Sequence, residues 1–178
     1  AHKYYNRHVN FSMVKSCLQM RPSHQAGDFQ SPKEEIILES CSWEEQFKKG
    51  NYLANRGDHV EAIKCFLVTI RHNPEHAMAW NNIGVAKLCL SKPDEAVIAF
   101  DKALEIESDY RDALHNRALA YSDVGELDSA MDDLNRAISL DPAHWASYKH
   151  RSILNQMLGN SEQSFKDYIK FKELTYGH

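Results

Sequence analysis

Residues 77–109 read AMAWNNIGVAKLCLSKPDEAVIAFDKALEIESD, and sliding this stretch along the 178-residue chain brings like residues into line at one fixed interval. Gly50 falls on Gly84. Ala62, Ala96 and Ala130 coincide, followed by Ser164, and Phe66, Phe100, Leu134 and Tyr168 form a second column. Pro74, Ser108 and Pro142 form a third. A small residue, a large apolar residue four positions on and a helix breaker beyond it describe two closely packed helices followed by a turn. One such pair cannot bury its apolar face alone, so neighbouring pairs must share a core.

The interval and the columns resemble the tetratricopeptide repeat (TPR) family, whose helix–turn–helix unit spans about 34 residues. The resemblance covers residues 43–174. It implies an all-α superhelical solenoid of about four repeats, at about 43–76, 77–110, 111–144 and 145–174. The domain then runs over 42–178, behind a basic N-terminal extension and linker at 1–41. Eight helices are expected, at about 43–56, 59–72, 77–90, 93–106, 111–124, 127–140, 145–158 and 161–174. Local chemistry supports these bounds. Ser42-Trp43-Glu44-Glu45 is a capping box, and so is Ser31-Pro32-Lys33-Glu34, which starts a short helix ending near Glu39. Gly57, Gly125 and Gly159 sit where the first helix of a pair (helix A) gives way to the second (helix B). Pro93 sits at a first helical turn, where its missing N–H does no harm. Gly50, Gly84, Ala118 and Ser152 are small so that helix A approaches helix B. Phe66, Phe100, Leu134 and Tyr168, with Trp80, Leu114, Tyr121 and Tyr148, fill the space between pairs.

The apolar share of 43% suits a domain with a real core. No apolar run approaches the ~18 residues that span a bilayer. The chain does not begin with Met and shows no secretory leader, which reads as a processed form, a fragment or an incompletely known sequence. The net charge of -4 is unevenly spread. Lys3, Arg7, Lys15 and Arg21 face no acidic residue before Asp28. Within this arm Tyr4, His8, Phe11, Val14 and Leu18 follow a helical stripe. Its aromatics could stack on nucleic acid, but the charge is small and the domain acidic, so the arm reads as packing on a partner or on the array's own groove, with no nucleic acid expected. The four cysteines, Cys17, Cys41, Cys65 and Cys89, fit neither a CxxC zinc pattern nor a disulfide framework. Cys65 and Cys89 read as buried thiols of a reducing, intracellular compartment. That compartment is the cytoplasm, with a cytoskeletal or ciliary lattice or the mitochondrion as alternatives.

Catalytic chemistry finds no foothold. Ten histidines form no HExxH and no Cys/His cluster with ligand spacing, so no metal and no cofactor is expected. His72, His76 and His144 fall at pair junctions, where an exposed histidine is unremarkable. Asp132 and Asp133 are adjacent and so point about 100° apart on a helix, which reads as a solvated face. The chain is therefore not expected to be an enzyme.

The TPR resemblance implies that the A helices line a concave groove. Asn82, Asn116 and His150 fall on one line there, with Asn51 on the first A helix and Lys149 and Arg151 on the last. An amide can donate to a peptide C=O and accept from its N–H at once. This short run resembles the asparagine ladder in the TPR superhelix of O-GlcNAc transferase. The TPR co-chaperones that clamp a terminal carboxylate add three cations. Their positions correspond here to Phe47, Asp112 and Asn116, so a chaperone C-terminal tail is not expected, although Asn51 and Asn82 match the two amides of that clamp. The expected function is a non-catalytic protein–protein interaction scaffold holding a partner peptide or helix through Asn51, Asn82, Asn116, Lys149, His150 and Arg151. Arg117, Lys149 and Arg151 could also meet an acidic segment. The alternatives are a structural subunit wedged in a large assembly and the TPR portion of a larger enzyme. The fourth repeat departs most from the pattern, and Ile169, Phe171 and Leu174 are candidates to face a partner.

Overall fold

The computed structural model describes residues 42–177, and the expectations for the arm at 1–21 and the short helix at 31–39 lie outside them. Eight α-helices account for almost all of the described chain: α1 (Trp43–Asn55), α2 (His59–His72), α3 (Ala77–Cys89), α4 (Pro93–Ile106), α5 (Arg111–Val124), α6 (Leu127–Leu140), α7 (Trp145–Met157) and α8 (Ser161–Tyr176). The bounds fall within two residues of those expected from the sequence. The capping box at Ser42 is complete. Its hydroxyl accepts from Glu45 N–H and the Glu45 carboxylate accepts from Ser42 N–H, both at 3.3 Å. Gly57, Gly125 and Gly159 take φ of 89°, 87° and 79° in the A-to-B turns. The second repeat puts Ser91 in the equivalent turn, at φ 57°, a conformation that disfavours any residue with a Cβ.

Each A helix packs along its own B helix, and each B helix packs against the A helix that follows. Successive A helices also touch (α1 with α3, α3 with α5, α5 with α7), whereas B helices of different repeats do not make a comparable contact. The A row is therefore the tight, inner side of the curve. The intra-pair approach is as close as the small-residue column implies. A Cβ built on Gly50 would lie 2.5 Å from Phe66 Cε1, and one on Gly84 2.5 Å from Phe100 Cε1. Phe66, Phe100 and Leu134 are fully buried. Each is worth about 1.5–3 kcal/mol of burial against an unfolded chain.

Three apolar clusters run along the stack, the last built from Ala118, Ala130, Leu134 and Leu154. The fourth repeat breaks the pattern. Tyr168, expected between pairs, is 44% exposed, and Phe165 beside it is 64% exposed. The physical reason is that no described helix follows α8 to cover them. In the small-residue column, Ser152 and Ser164 bond each other instead, Ser152 Oγ donating to the Ser164 carbonyl at 2.8 Å and Ser164 Oγ to the Ser152 carbonyl at 2.9 Å.

Two further expectations are corrected. Asp133 is buried, not solvated, because Arg117 reaches it from α5 with Nε at 2.7 Å from Oδ2 and Nη2 at 2.8 Å from Oδ1. The remaining arm of that guanidinium reaches back to Asp101 on α4 at 2.6 Å. One repeat later Arg151 repeats the device, holding buried Asp167 on α8 through Nε and Nη2 and Asn135 on α6 through Nη1. Each arginine thereby ties an A helix to its own B helix and to the preceding one. Cys65 is buried as a free thiol, as expected. Cys89, at the end of α3, is disulfide-bonded and so is not the reduced thiol that the sequence suggested.

Candidate functional site: the inner face of the A helices

The inner row carries a line of polar contacts between successive A helices. Asn82 Nδ2 donates to Asn51 Oδ1 at 2.8 Å, joining α3 to α1. Asn81 Nδ2 donates to Asn82 Oδ1 at 3.2 Å, and Asn116 Nδ2 donates to Asn81 Oδ1 at 3.0 Å, joining α5 to α3. Three of the expected site residues are therefore brought together, through an intermediary that the sequence reading passed over. Asn81 and Asn82 are both buried, while Asn51 and Asn116 are half-buried at the two ends. Four amides in a row polarise one another in the same sense, which strengthens each bond. Among the described residues the Asn116 carbonyl oxygen accepts no hydrogen bond, so the relay ends on an acceptor.

Between α5 and α7 the line continues in a different chemistry. His115 Nδ1 lies 3.1 Å from Ser147 Oγ, and His144 Nδ1 lies 2.8 Å from the same oxygen. A hydroxyl has one hydrogen, so at most one of these imidazoles accepts from Ser147 and at least one donates to it. His150 Nε2 lies 3.3 Å from Ser122 Oγ, whose hydrogen is committed to the Ala118 carbonyl at 2.8 Å. His150 is therefore the Nε2–H tautomer, and its Nδ1 is left as a buried acceptor with no partner. The His115 ring stands edge-on to His144 at 5.0 Å and to His150 at 6.0 Å between centroids.

All three rings are buried, which corrects the expectation of an exposed His144. Burial is the main reason that His144 and His150 are pushed down to about 4, with Arg111 adding to it for His144 and Lys149 for His150. Burial and the two neighbouring histidines hold His115 well below the usual imidazole range. The cluster is therefore neutral at pH 7. Among the described residues no group of three His, Cys, Asp or Glu side chains is arranged to hold a metal ion.

The remaining expected residues divide. Lys149 lies half-buried on α7 with its Nζ 5.7 Å from the centre of the Phe171 ring, and burial lowers its pKa. Arg151 is committed to Asp167 and Asn135 and stands 5.5 Å over the Tyr148 ring, so it belongs to the helix-tying device. Arg117 is likewise committed to Asp133 and Asp101. At the three positions where a carboxylate clamp would need cations, Phe47 packs on His76 at 4.6 Å, Asp112 is held by Arg111, and Asn116 joins the amide relay. Asn81, His115, Ser122 and Ser147 are the residues that the sequence reading missed. The signal for two of them was present, since Asn81, His115 and Lys149 form a column one position before Asn82, Asn116 and His150.

A stacked array of helix pairs with a polar inner row defines a helical-repeat solenoid. The chain belongs to the tetratricopeptide repeat family, whose sequence models match residues 47–111 and 112–144. Among curated relatives it is 32% identical over 114 residues to sperm-associated antigen 1 of Mus musculus, a match that takes in 64% of this chain and 12% of that protein. The chain thus spans about an eighth of that relative's length. Among solved structures the fold is similar to MamA, with a TM-score of 0.73 at 22% identity over 80% of this chain and 83% of that one. It is also similar to the first TPR of Spaghetti (RPAP3) bound to the HSP90 peptide SRMEEVD, with a TM-score of 0.65 at 23% identity over 66% of this chain and 95% of that one. The described residues contain no helix long and apolar enough to cross a membrane.

Proposed function

We propose that this protein is a non-catalytic interaction scaffold that holds an extended partner segment along the inner face of its A helices. The observation that carries the reading is the amide relay from Asn51 to Asn116, a row of aligned amide dipoles suited to the main chain of a peptide. A structural neighbour holds an acidic peptide, SRMEEVD. Here the clamp's cationic positions are Phe47, Asp112 and Asn116, and the histidines at the far end are neutral. The preferred ligand is therefore an uncharged segment whose main chain is read by Asn116 and by the edge of Asn51, the two being aligned through buried Asn81 and Asn82, with half-buried Leu119 and exposed Ile153 supplying apolar contact. Lys149 and His150 close the fourth-repeat end, and Arg151 acts by holding α7 in place.

The test is Asn116→Ala, which removes the accessible end of the relay and leaves the buried amides Asn81 and Asn82 unchanged in identity. Binding of an identified partner is expected to weaken by about fivefold with the helical circular dichroism signal unchanged, one lost hydrogen bond being worth about 1 ± 0.5 kcal/mol. Unaltered affinity would send the contact elsewhere. A second reading, a subunit wedged in a larger assembly, is favoured by one observation: Phe165, Tyr168, Ile169 and Tyr176 leave the outer face of α8 apolar and open.

A further inference from the structure

The joint between the third and fourth repeats differs from the two before it. The contact of α6 with α7 is the least extensive of the three joints between a B helix and the next A helix. Its inner edge is fastened by imidazoles where the earlier joints use amides, and Ser147, Ser152 and Asn155 take buried places where Ala113, Ala118 and Tyr121 stand in α5. Three buried rings share this edge, two of them contact one hydroxyl, and the third carries an unpartnered Nδ1. A proton on His150 Nδ1 would be an N–H buried without an acceptor. Protons on both His115 and His144 would set two cations in edge contact, with Arg111 beside them.

We propose that this joint is a proton-operated hinge: acidification charges His115, His144 and His150, and α7–α8 undock from α5 and α6 while the first three repeats stay stacked. The charged groups facing the cluster are Arg111 and Asp112 from α5, Asp141 from the end of α6 and Lys149 from α7. Arg111 is paired with both aspartates, so its positive charge is fixed in place and those carboxylates are already engaged. The docked state holds the rings neutral, and the undocked state binds more protons wherever the pH is below the ordinary value near 6.5. Docking is therefore at full strength above about pH 6.5 and weakens as the pH falls towards 4. At pH 4.5 each ring held at about 4 favours undocking by roughly 80-fold. Nearest-neighbour stacking confines the effect, because among the described residues the fourth repeat shares one joint only. Undocking also displaces Lys149 and His150, so a ligand in the groove is released on acidification; that consequence rests on the groove reading, whereas undocking does not.

The test is amide hydrogen exchange on the full chain near pH 7 and near pH 4.5, corrected for intrinsic exchange rates. Protection in residues 145–176 is expected to fall by roughly 100-fold or more relative to residues 77–106. Residues 59–72 serve as an internal standard, since α2 carries a single buried histidine, His59. Replacing His150 by Gln, which stays neutral, is expected to remove most of one ring's factor and shift the transition to lower pH. Loss of protection in parallel along the whole chain, or no loss at all, overturns the proposal. Should that variant not fold, imidazole NMR of the unaltered chain replaces it. The three rings are expected to titrate together with the loss of α7–α8 protection, and separate titrations near 6.5 with α7–α8 intact overturn the hinge.

Discussion

The Arg117 device yields the most exacting stability prediction, because the structure grades its two carboxylate partners by burial. Asp133 is 8% exposed at its side chain and receives two guanidinium bonds, whereas Asp101 is 41% exposed and receives one. The hydrogen bonds that Arg117 donates to Asp133, more than any other cause, hold the Arg117 pKa far above the usual arginine value. Removing one partner of a buried pair strands the other without water, which costs about 3–5 kcal/mol. Arg117→Ala and Asp133→Ala are therefore expected to destabilise by about 3 kcal/mol each. The double variant strands nothing, so it is expected to lose only about 3–4 kcal/mol in total, leaving a coupling energy of about 2 kcal/mol. Asp101→Ala is expected to cost about 0.5–1 kcal/mol, the range of a solvent-screened pair. Urea denaturation followed by circular dichroism measures all four, with unchanged m-values certifying that midpoints report stability. Repeating the series at about 1 M salt, where the screening length is about 3 Å, should erase the Asp101 effect and spare the Asp133 coupling. Additive single variants, with a coupling energy below about 0.5 kcal/mol, would refute the claim that Arg117 binds α5 to α6 through a buried pair.

Three other outcomes follow from the packing. Gly84→Ala puts a Cβ 2.5 Å from the Phe100 ring and is expected to lower stability by about 1–3 kcal/mol. Pairing it with Phe100→Leu reproduces the Ala118–Leu134 combination of the next repeat, and thermal denaturation should show the double variant recovering at least half of that loss. Ser91→Gly relieves a residue with a Cβ from φ 57° in the α3–α4 turn. A gain of about 0.5–1 kcal/mol, read as a rise in Tm of a few degrees, is expected, and no gain would mean that Ser91 is held by something other than the turn. The buried histidines predict a fall in stability below about pH 6.5 that steepens towards pH 5, since the unfolded chain takes up protons that the folded state refuses. Urea midpoints across that range should fall, and a flat profile would contradict the burial of these rings.

The fold was legible because its determinants are local and repeated. Gly50 and Gly84 with Phe66 and Phe100 state the intra-pair contact in two columns, and Ser42, Pro93, Gly57, Gly125 and Gly159 punctuate the helices by their own backbone preferences. The polar tertiary contacts were less legible. Asp133 and Asp167 look like solvent-facing acids in helices that carry many of them, and only the arginine sixteen residues earlier, on the facing helix, makes them core residues. His144 reads as a turn residue until Ser147 and His115 are seen to enclose it. Asn81 was overlooked because Asn82 already occupied the expected line, although both columns recur at the repeat interval. Tyr168 stands in the column of Phe66 and Phe100, but among the described residues no following helix buries it, and a column cannot show what covers it.

The groove itself is tested most directly by a photoactivatable crosslinking residue placed at Leu119, on the inner row, and separately at Ile98, which is 62% exposed on a B helix. Irradiation of the protein bound to an identified partner is expected to crosslink that partner from position 119 and not from position 98. Capture from position 98 with none from 119 would contradict the assignment of the inner face as the binding surface.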